Sequence, residues 1–193
     1  MALKNSYKLL PLLAASCLPL LLAQSSGYLM TGDPQKVPQT GLSLAVSPYR
    51  ANTVSPLSGI KSLNYLDHLL AWEEAQSRDF DEAVVLNERG EIVSATTANL
   101  FWSKNGTLHT PTLSTGALAG ITRDCVIEIA NKHFIPLLEG VYEMGDLTDA
   151  DEIFLTSSSL GVAPVTTFDF RRYSVEGPLT TTIAHAFRQL SRG

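Results

Sequence analysis

The sequence has little cysteine and little positive charge, and both shortages exclude classes of function. Its 193 residues include two cysteines, Cys17 and Cys125, which form no CxxC pair. The four histidines lack metal-ligand spacing, so neither a disulfide framework nor a zinc site is supported. The net charge of −5 and the scattered lysines and arginines argue against nucleic-acid binding. With 45% hydrophobic residues, the chain is expected to be globular and to act on a small molecule.

The first thirty residues differ in composition from the rest. Lys4 and Lys8 precede an apolar run from Leu9 to Ala23, a pattern typical of a secretory signal. The run is too short to span a membrane comfortably, and it contains Pro11 and Pro19. It is therefore interpreted either as a signal peptide or as the remnant of an N-terminal domain.

Short apolar runs and turn-forming residues predict strands, and the stretch from Glu82 to Leu108 is interpreted as a β-meander. The predicted strands are Leu42–Val46, Glu82–Leu86, Asn99–Trp102 and Ile153–Thr156. Ser47-Pro48 is read as a break after the first strand, and Asn105-Gly106 as a two-residue hairpin turn.

Helical spacing of apolar residues predicts helices between these strands. One helix is expected from Leu63 to Ala75 and a terminal one from Pro178 to Leu190. Another helix is expected near Thr122, and Thr122 or a nearby residue is expected to cap it.

Five motifs stand in one order along the chain. They are Ser58-Gly-Ile-Lys61-Ser-Leu-Asn64, Asp81-Glu-Ala-Val-Val-Leu-Asn87, Ala98-Asn-Leu-Phe-Trp102, Gly120-Ile-Thr-Arg-Asp124 and Asp151-Glu-Ile-Phe-Leu-Thr-Ser-Ser158. In this order and spacing, the chain from about Gly41 to about Val165 resembles class IV pyridoxal-phosphate (PLP) enzymes. That family includes branched-chain and D-amino-acid aminotransferases and 4-amino-4-deoxychorismate lyase.

The resemblance implies an α+β chain with the barrel-like domain of fold type IV PLP enzymes, and PLP as the cofactor. Residues 41–193 are expected to form the PLP-binding catalytic domain, and residues 1–40 an apolar segment and a loop. The small α/β domain that normally precedes the family's lysine is expected to be largely missing.

The resemblance also assigns residues to a PLP site. Lys61 matches the lysine that forms a Schiff base and then moves the proton at the substrate's α carbon. Backbone N–H groups of Ile121 and Thr122, with the Thr122 hydroxyl, are expected to bind the phosphate where a helix begins. Ser158 matches a second phosphate contact. Without the resemblance, Lys61 would be interpreted as a surface lysine, the Thr122 segment as a helix start without a ligand, and the serines as a turn.

One position departs from the family pattern. Five residues before the Asn of the Ala-Asn-Leu-Phe motif, the family has a Glu that keeps the pyridine nitrogen protonated, and this chain has Ser94. Glu91 is three residues away, on the opposite face of a strand, and is not expected to substitute. A hydroxyl stabilises a protonated ring less than a carboxylate does. Ser94 therefore favours β-elimination over transamination, or indicates an inactive relative.

Four further residues have no assigned role. Arg123 is either a clamp for a substrate carboxylate or a partner of nearby acids, and Tyr65 is a candidate contact to the cofactor's ring hydroxyl. Asn99 belongs to a motif but has no evident function. Arg50 is the one candidate for the phosphate-binding Arg that the N-terminal domain supplies in the family.

The first expectation is a lyase like 4-amino-4-deoxychorismate lyase, which releases pyruvate and leaves 4-aminobenzoate, a folate precursor. The segments Gly41–Arg50 and Ala98–Trp102 look most like that enzyme. A class IV amino-acid aminotransferase is the alternative, and an inactive relic is a third reading. The chain is expected to be a cytoplasmic homodimer with a small amino substrate and neither nucleic acid nor membrane as partner.

Overall fold

The computed structural model describes residues 40–168 and 170–190; the apolar run from Leu9 to Ala23 and most of the predicted N-terminal loop lie outside the described residues. The strands are β1 (Leu42–Ala51), β2 (Glu82–Asn87), β3 (Ile92–Ala95), β4 (Asn99–Lys104), β5 (Thr107–Pro111), β6 (Leu137–Gly140), β7 (Glu152–Ser157), β8 (Gly161–Phe168) and β9 (Arg171–Arg172). The helices are α1 (Leu66–Ser77), α2 (Ile121–Lys132), α3 (Met144–Thr148) and α4 (Pro178–Leu190). Among the described residues, none of the helices has the length and apolar character to cross a bilayer.

All nine strands belong to one curled sheet. The order is β3-β2-β1-β8-β7-β4-β5-β6, with β9 added beside β8. β3 and β4 stand five places apart in that order, yet only residues 96–98 connect them. The Ala95 N–H donates to the Ala98 carbonyl oxygen at 2.9 Å, which holds the two strands together. The sheet must therefore curl. The first six strands in that order, from β3 to β4, form a barrel-like body, as predicted.

Alternate side chains of the six strands point into this barrel and form the largest apolar cluster. Its strand members are Leu42, Leu44, Val84, Leu86, Ile92, Ala95, Leu100, Trp102, Ile153, Leu155, Ala163, Val165 and Phe168. The barrel interior is a packed core of apolar side chains.

Helices cover the outer face of the sheet in two places. The rings of Phe101 and Phe154 stack with centroids 5.2 Å apart, and Val126 and Ile129 of α2 pack in the same cluster with Ile183 of α4. Full burial of each such side chain stabilises the fold by about 1.5–3 kcal/mol. Helix α1 covers β1 and β2 through a smaller, alanine-rich cluster. The positions of α1 and α2 matter most here, because the candidate site lies at their N-terminal ends.

Several predicted elements are confirmed, including the terminal helix Pro178–Leu190 and the Asn105-Gly106 turn, where φ is 51° and 78°. The predicted break at Ser47-Pro48 is wrong, because β1 continues to Ala51 with a register shift between Val46 and Arg50. The Ser47 hydroxyl accepts the Tyr49 N–H at 3.0 Å, so the turn tendency is satisfied inside a bulged strand. The first helix begins at Leu66 rather than Leu63. The predicted β-meander is wrong, because β3 and β4 follow each other in the chain but stand five places apart in the sheet.

Glu82 is buried beside the connection that closes the barrel. Its carboxylate accepts hydrogen bonds from the Thr96 N–H, at 3.0 Å, and from the hydroxyls of Thr96 and Thr97. Burial raises the pKa of Glu82, and these hydrogen bonds oppose the rise. The carboxylate therefore holds the connection of residues 96–98 in place.

We predict that Glu82→Ala lowers the free energy of unfolding by about 3 kcal/mol, because it leaves the buried donors of Thr96 and the partly buried Thr97 hydroxyl without an acceptor. Urea unfolding followed by circular dichroism measures this change. Glu73→Ala, at an exposed position of α1, is the control and should change the value by less than about 0.5 kcal/mol. Equal effects of the two substitutions would contradict the role given to Glu82.

Candidate active site

The predicted site residues lie around one region on the outside of the barrel. The loop that follows β1 contacts the loop that precedes α2: a β-carbon at Gly116 would lie 3.0 Å from the Ser58 hydroxyl and 3.9 Å from a Val93 methyl group. A β-carbon at Gly59 would lie 3.7 Å from the Ala117 carbonyl oxygen. The Lys61 loop, strand β3 and the loop before α2 therefore meet here.

Lys61 occupies the loop between β1 and α1 and is half-buried. Burial lowers the pKa of its amine. Burial likewise lowers the pKa of His68, and the Lys61 charge adds a smaller contribution in the same direction. A partly desolvated lysine holds a larger neutral, nucleophilic fraction at neutral pH than an exposed one.

Tyr65 and His68 connect this loop to the barrel closure. Their rings stack with centroids 4.9 Å apart and planes 7° apart. The Tyr65 hydroxyl donates to the Thr96 carbonyl oxygen, and burial, followed by the Glu82 charge, raises the pKa of that hydroxyl. The Tyr65 proton is thus used by Thr96, so in the suggested contact with a cofactor hydroxyl the Tyr65 oxygen would act as the acceptor.

Ser94 lies on β3 opposite Val85, next to a register shift. Val84 and Leu86 point into the barrel, so Val85 and its partner Ser94 face outward. Ser94 is 8% exposed. The carboxylate of Glu91 accepts instead from the Asn87 amide and the Arg89 guanidinium.

The segment around Ile121 and Thr122 forms the start of α2. Gly120 is the N-cap, and as a glycine it has no side chain that could make a capping hydrogen bond. Thr122, considered as a cap from the sequence, lies inside the first turn. The Thr122 side chain is buried, and that of Ile121 is 77% exposed. N–H groups in a first helical turn have no acceptor within the helix, and they attract an anion. Asp124, in the same turn, opposes that attraction in part.

Ser158 is exposed in the turn that follows β7. The neighbouring hydroxyls of Ser157 and Ser159 lie 3.1 Å apart, and the Ser157 hydroxyl also accepts the Leu160 N–H at 3.2 Å. β7 pairs with β4, whose first residue Asn99 donates to the Leu118 carbonyl oxygen before α2. The serine turn and the start of α2 therefore belong to one neighbourhood.

The two arginines considered from the sequence have different surroundings. Arg123 is buried, and its guanidinium donates to the Pro111 carbonyl oxygen at 3.0 Å and to the Glu139 carboxylate. These contacts tie α2 to β5 and β6, so Arg123 holds the fold rather than a substrate. Arg50 is exposed in β1, opposite Leu86.

The donor set around this region fits PLP. The half-buried amine of Lys61 suits the aldehyde, and the uncapped start of α2 and the serine turn suit the phosphate. Ser94 supplies a hydroxyl where the family has a carboxylate. Two cavities, of about 380 and 470 Å³, lie elsewhere, the first lined by Phe168 and Tyr173 and the second by Glu152 and Gly177.

Comparison with known proteins identifies the family of this chain. The sequence profile of the family described as amino-transferase class IV matches residues 22–168. A putative branched-chain-amino-acid aminotransferase of Methanocaldococcus jannaschii is 37% identical over 133 residues, covering 68% of this chain and 46% of that protein. The aminodeoxychorismate lyase of Vibrio harveyi is 32% identical over 141 residues, covering 73% and 52%.

A solved structure shares the architecture. The branched-chain amino acid aminotransferase of Thermobaculum terrenum, determined in its PLP form, superposes with a TM-score of 0.75 and 30% identity. The match covers 78% of this chain and 50% of that one. The chain thus spans about half the length of the relatives it matches. On the profile match, the shared barrel and the ordered motifs, this chain belongs to the class IV aminotransferase family, whose members depend on PLP.

Proposed function

We propose that the chain is the PLP-binding part of a class IV PLP-dependent enzyme, with Lys61 as its reactive amine. The observation that carries this proposal is the half-buried Lys61 amine, with its lowered pKa, on the same outer region as the uncapped start of α2. When bound, PLP withdraws electrons from the substrate's α carbon. The family's PLP dependence supports the cofactor, and the residues of this chain supply binding and proton transfer.

Each site residue has a distinct task in this proposal. The N–H groups of Ile121 and Thr122, the Thr122 hydroxyl and the Ser158 hydroxyl bind the phosphate. Ser94 contacts the ring nitrogen. Lys61 would hold the cofactor through its amine. Once the substrate's amino group has displaced it, the freed amine would take the proton from the substrate's α carbon and return it, a task that its lowered pKa favours because the neutral fraction is larger.

We predict that PLP becomes covalently attached to Lys61 and that borohydride makes the attachment permanent. Peptide mass spectrometry of the full chain should locate the added group on the peptide that contains Lys61. Lys61→Ala should abolish the attachment, whereas Lys132→Ala, at an exposed position of α2, should leave it unchanged. Attachment that persists in Lys61→Ala would defeat the assignment.

Lyase chemistry is the first candidate because of Ser94. A hydroxyl holds a protonated ring nitrogen less strongly than a carboxylate does, so the ring accepts less charge. That deficit weighs more on transamination than on elimination. We therefore propose the release of pyruvate from 4-amino-4-deoxychorismate, in which Lys61 acts first as base and then as acid. The alternative, amino-acid transamination, is favoured by the names of several relatives, including the protein from M. jannaschii.

Two assays on the full chain distinguish these candidates. We predict formation of 4-aminobenzoate from 4-amino-4-deoxychorismate and little transfer of an amino group to 2-oxoglutarate. Robust transamination without 4-aminobenzoate would reverse the ranking. Ser94→Glu should raise transamination by roughly tenfold or more, since a hydrogen bond to a charged group contributes about 1.5–3 kcal/mol. Ser94→Gln is the control, because glutamine has nearly the size of glutamate but carries no charge. Turnover in none of these proteins would indicate a relic.

We further propose that the chain works in the cytoplasm as a homodimer, with residues 41–193 as the catalytic domain and the apolar run from Leu9 to Leu22 as a cover for its apolar surface. Exposed apolar side chains follow one another around the Lys61 loop: Tyr49, Val54, Leu57, Ile60, Leu63, Leu66 and Leu70. Clustered apolar surface of this kind favours association.

Light scattering tests the assembly. The full chain should have the mass of a dimer, and a shortened chain that begins at Gly27 should be less soluble or should associate further. Monomers in both cases would contradict the proposal. Partition of only the full chain into membranes would instead favour a signal or an anchor at the N-terminus.

A further inference from the structure

Asn99 and Gly120 belong to different sequence motifs, and the fold brings them into contact. The Asn99 amide donates to the Leu118 carbonyl oxygen at 2.8 Å. On the other side of the same amide, a β-carbon at Gly120 would lie 2.2 Å from the Asn99 Oδ1 atom, closer than any side chain tolerates. Asn99 is 7% exposed. It therefore fixes residues 118–120, the segment that leads directly into Ile121 and Thr122.

Thr156 is the partner of Asn99 across strands β4 and β7. Partners in an antiparallel pair share one face of the sheet, and this face is the outer one, where Phe101 and Phe154 stack two residues away. Thr156 is completely buried, yet its hydroxyl has no hydrogen-bond partner among the described residues. A buried hydroxyl without a partner costs about 1–3 kcal/mol, so the Thr156 hydroxyl would gain a comparable stabilisation from a ligand atom placed within hydrogen-bond distance.

The outer face of β4 and β7 therefore supports α2 in two places, at its middle and at its start. The stacked rings of Phe101 and Phe154 support the middle of the helix through Val126 and Ile129. One step along both strands, the polar pair formed by Asn99 and Thr156 lies beside the start of that helix. β7 then ends at Ser157, so the serine turn begins one residue after Thr156.

We propose that Asn99 and Thr156 form the floor of the phosphate-binding site, a role that rests on the proposed function. Asn99 is a positioning residue: it holds the turn whose following N–H groups face the phosphate. Thr156 contacts the phosphate from below, and its hydroxyl gains there the hydrogen bond that the protein alone does not give it. The ligand class is a phosphate monoester on a flat ring, and the two residues recognise the phosphate only.

The test compares PLP with pyridoxal, which carries the same aldehyde and ring but no phosphate. Dissociation constants of both ligands are measured by absorbance titration of the full chain. Asn99→Ala and Thr156→Val should each weaken PLP binding by about tenfold, which corresponds to about 1.4 kcal/mol. Binding of pyridoxal should change by less than about twofold in both. A structural role alone would weaken both ligands alike.

Thr180 offers a matched control for Thr156. Its hydroxyl is also buried without a partner among the described residues, but it lies at the start of α4, beside Glu152. Without ligand, Thr156→Val and Thr180→Val should each keep or raise the melting temperature, because both remove an unpaired hydroxyl. Only Thr156→Val should weaken PLP binding.

A second pair of variants tests the contact between Asn99 and Gly120. Gly120→Ala should lower both the melting temperature and the PLP affinity, because its new methyl group meets the Asn99 amide. In the Asn99→Ala background that amide is absent, so adding Gly120→Ala should cost less than it does in the wild type. Full additivity would overturn the positioning role.

The outcomes separate the two proposals. If the wild-type chain binds PLP but the ratio of PLP to pyridoxal affinity stays constant in Asn99→Ala and Thr156→Val, the inference is wrong and the proposed function stands. If the wild-type chain binds neither ligand, the proposed function fails and takes the inference with it. Selective loss of PLP binding in both variants, with the control unchanged, supports the inference.

Discussion

The shortness of the connection between β3 and β4 is the constraint on which this structure depends. Strands at opposite ends of a six-strand array are joined by residues 96–98, so a flat sheet is sterically impossible for this chain. Curling removes the inner surface from water and creates an outer surface on which helices must pack. The buried Glu82 carboxylate stabilises the connection by accepting several hydrogen bonds at a single point.

The same connection links the barrel to the candidate site. Glu82 holds Thr96, the Thr96 carbonyl oxygen accepts the Tyr65 hydroxyl, and the Tyr65 ring stacks on His68 beside the Lys61 loop. A continuous series of contacts thus runs from the closure of the barrel to Tyr65 and His68, which follow Lys61 in the chain. Rigid support of this kind matters for catalysis, because a displacement of about 1 Å in a reacting group costs roughly a hundredfold in rate.

Much of the fold was predictable because its signals are local. The Asn105-Gly106 turn depends on residues that tolerate positive φ, and the terminal helix begins at a proline and keeps its apolar spacing. Ser47-Pro48 misled because a local turn signal was absorbed by a bulge within β1, which depends on its neighbouring strands. Short strands such as Ile92–Ala95 have too few residues for a periodic pattern.

The candidate site was predictable only through the resemblance, and only in part. Lys61, Ser94, Ile121, Thr122 and Ser158 were named from motifs, and their roles remain predictions. Asn99 had no role in the sequence because its partners, Leu118 and Gly120, are about twenty residues away, and nothing local encodes that contact. Arg123 was ambiguous for the same reason, since its burial and its contact with Glu139 depend on how α2 docks.

The barrel interior is filled by apolar side chains, while the candidate chemistry occupies the outside. These two sets of side chains alternate along the same strands, so neighbouring positions in the sequence have different surroundings. Interior positions are free to exchange one apolar residue for another of similar volume without altering a reacting group. Outward positions of the candidate site, such as Ser94, are not part of the interior cluster, so a change there leaves the barrel interior intact. This separation gives one scaffold room to diverge into enzymes with different substrates.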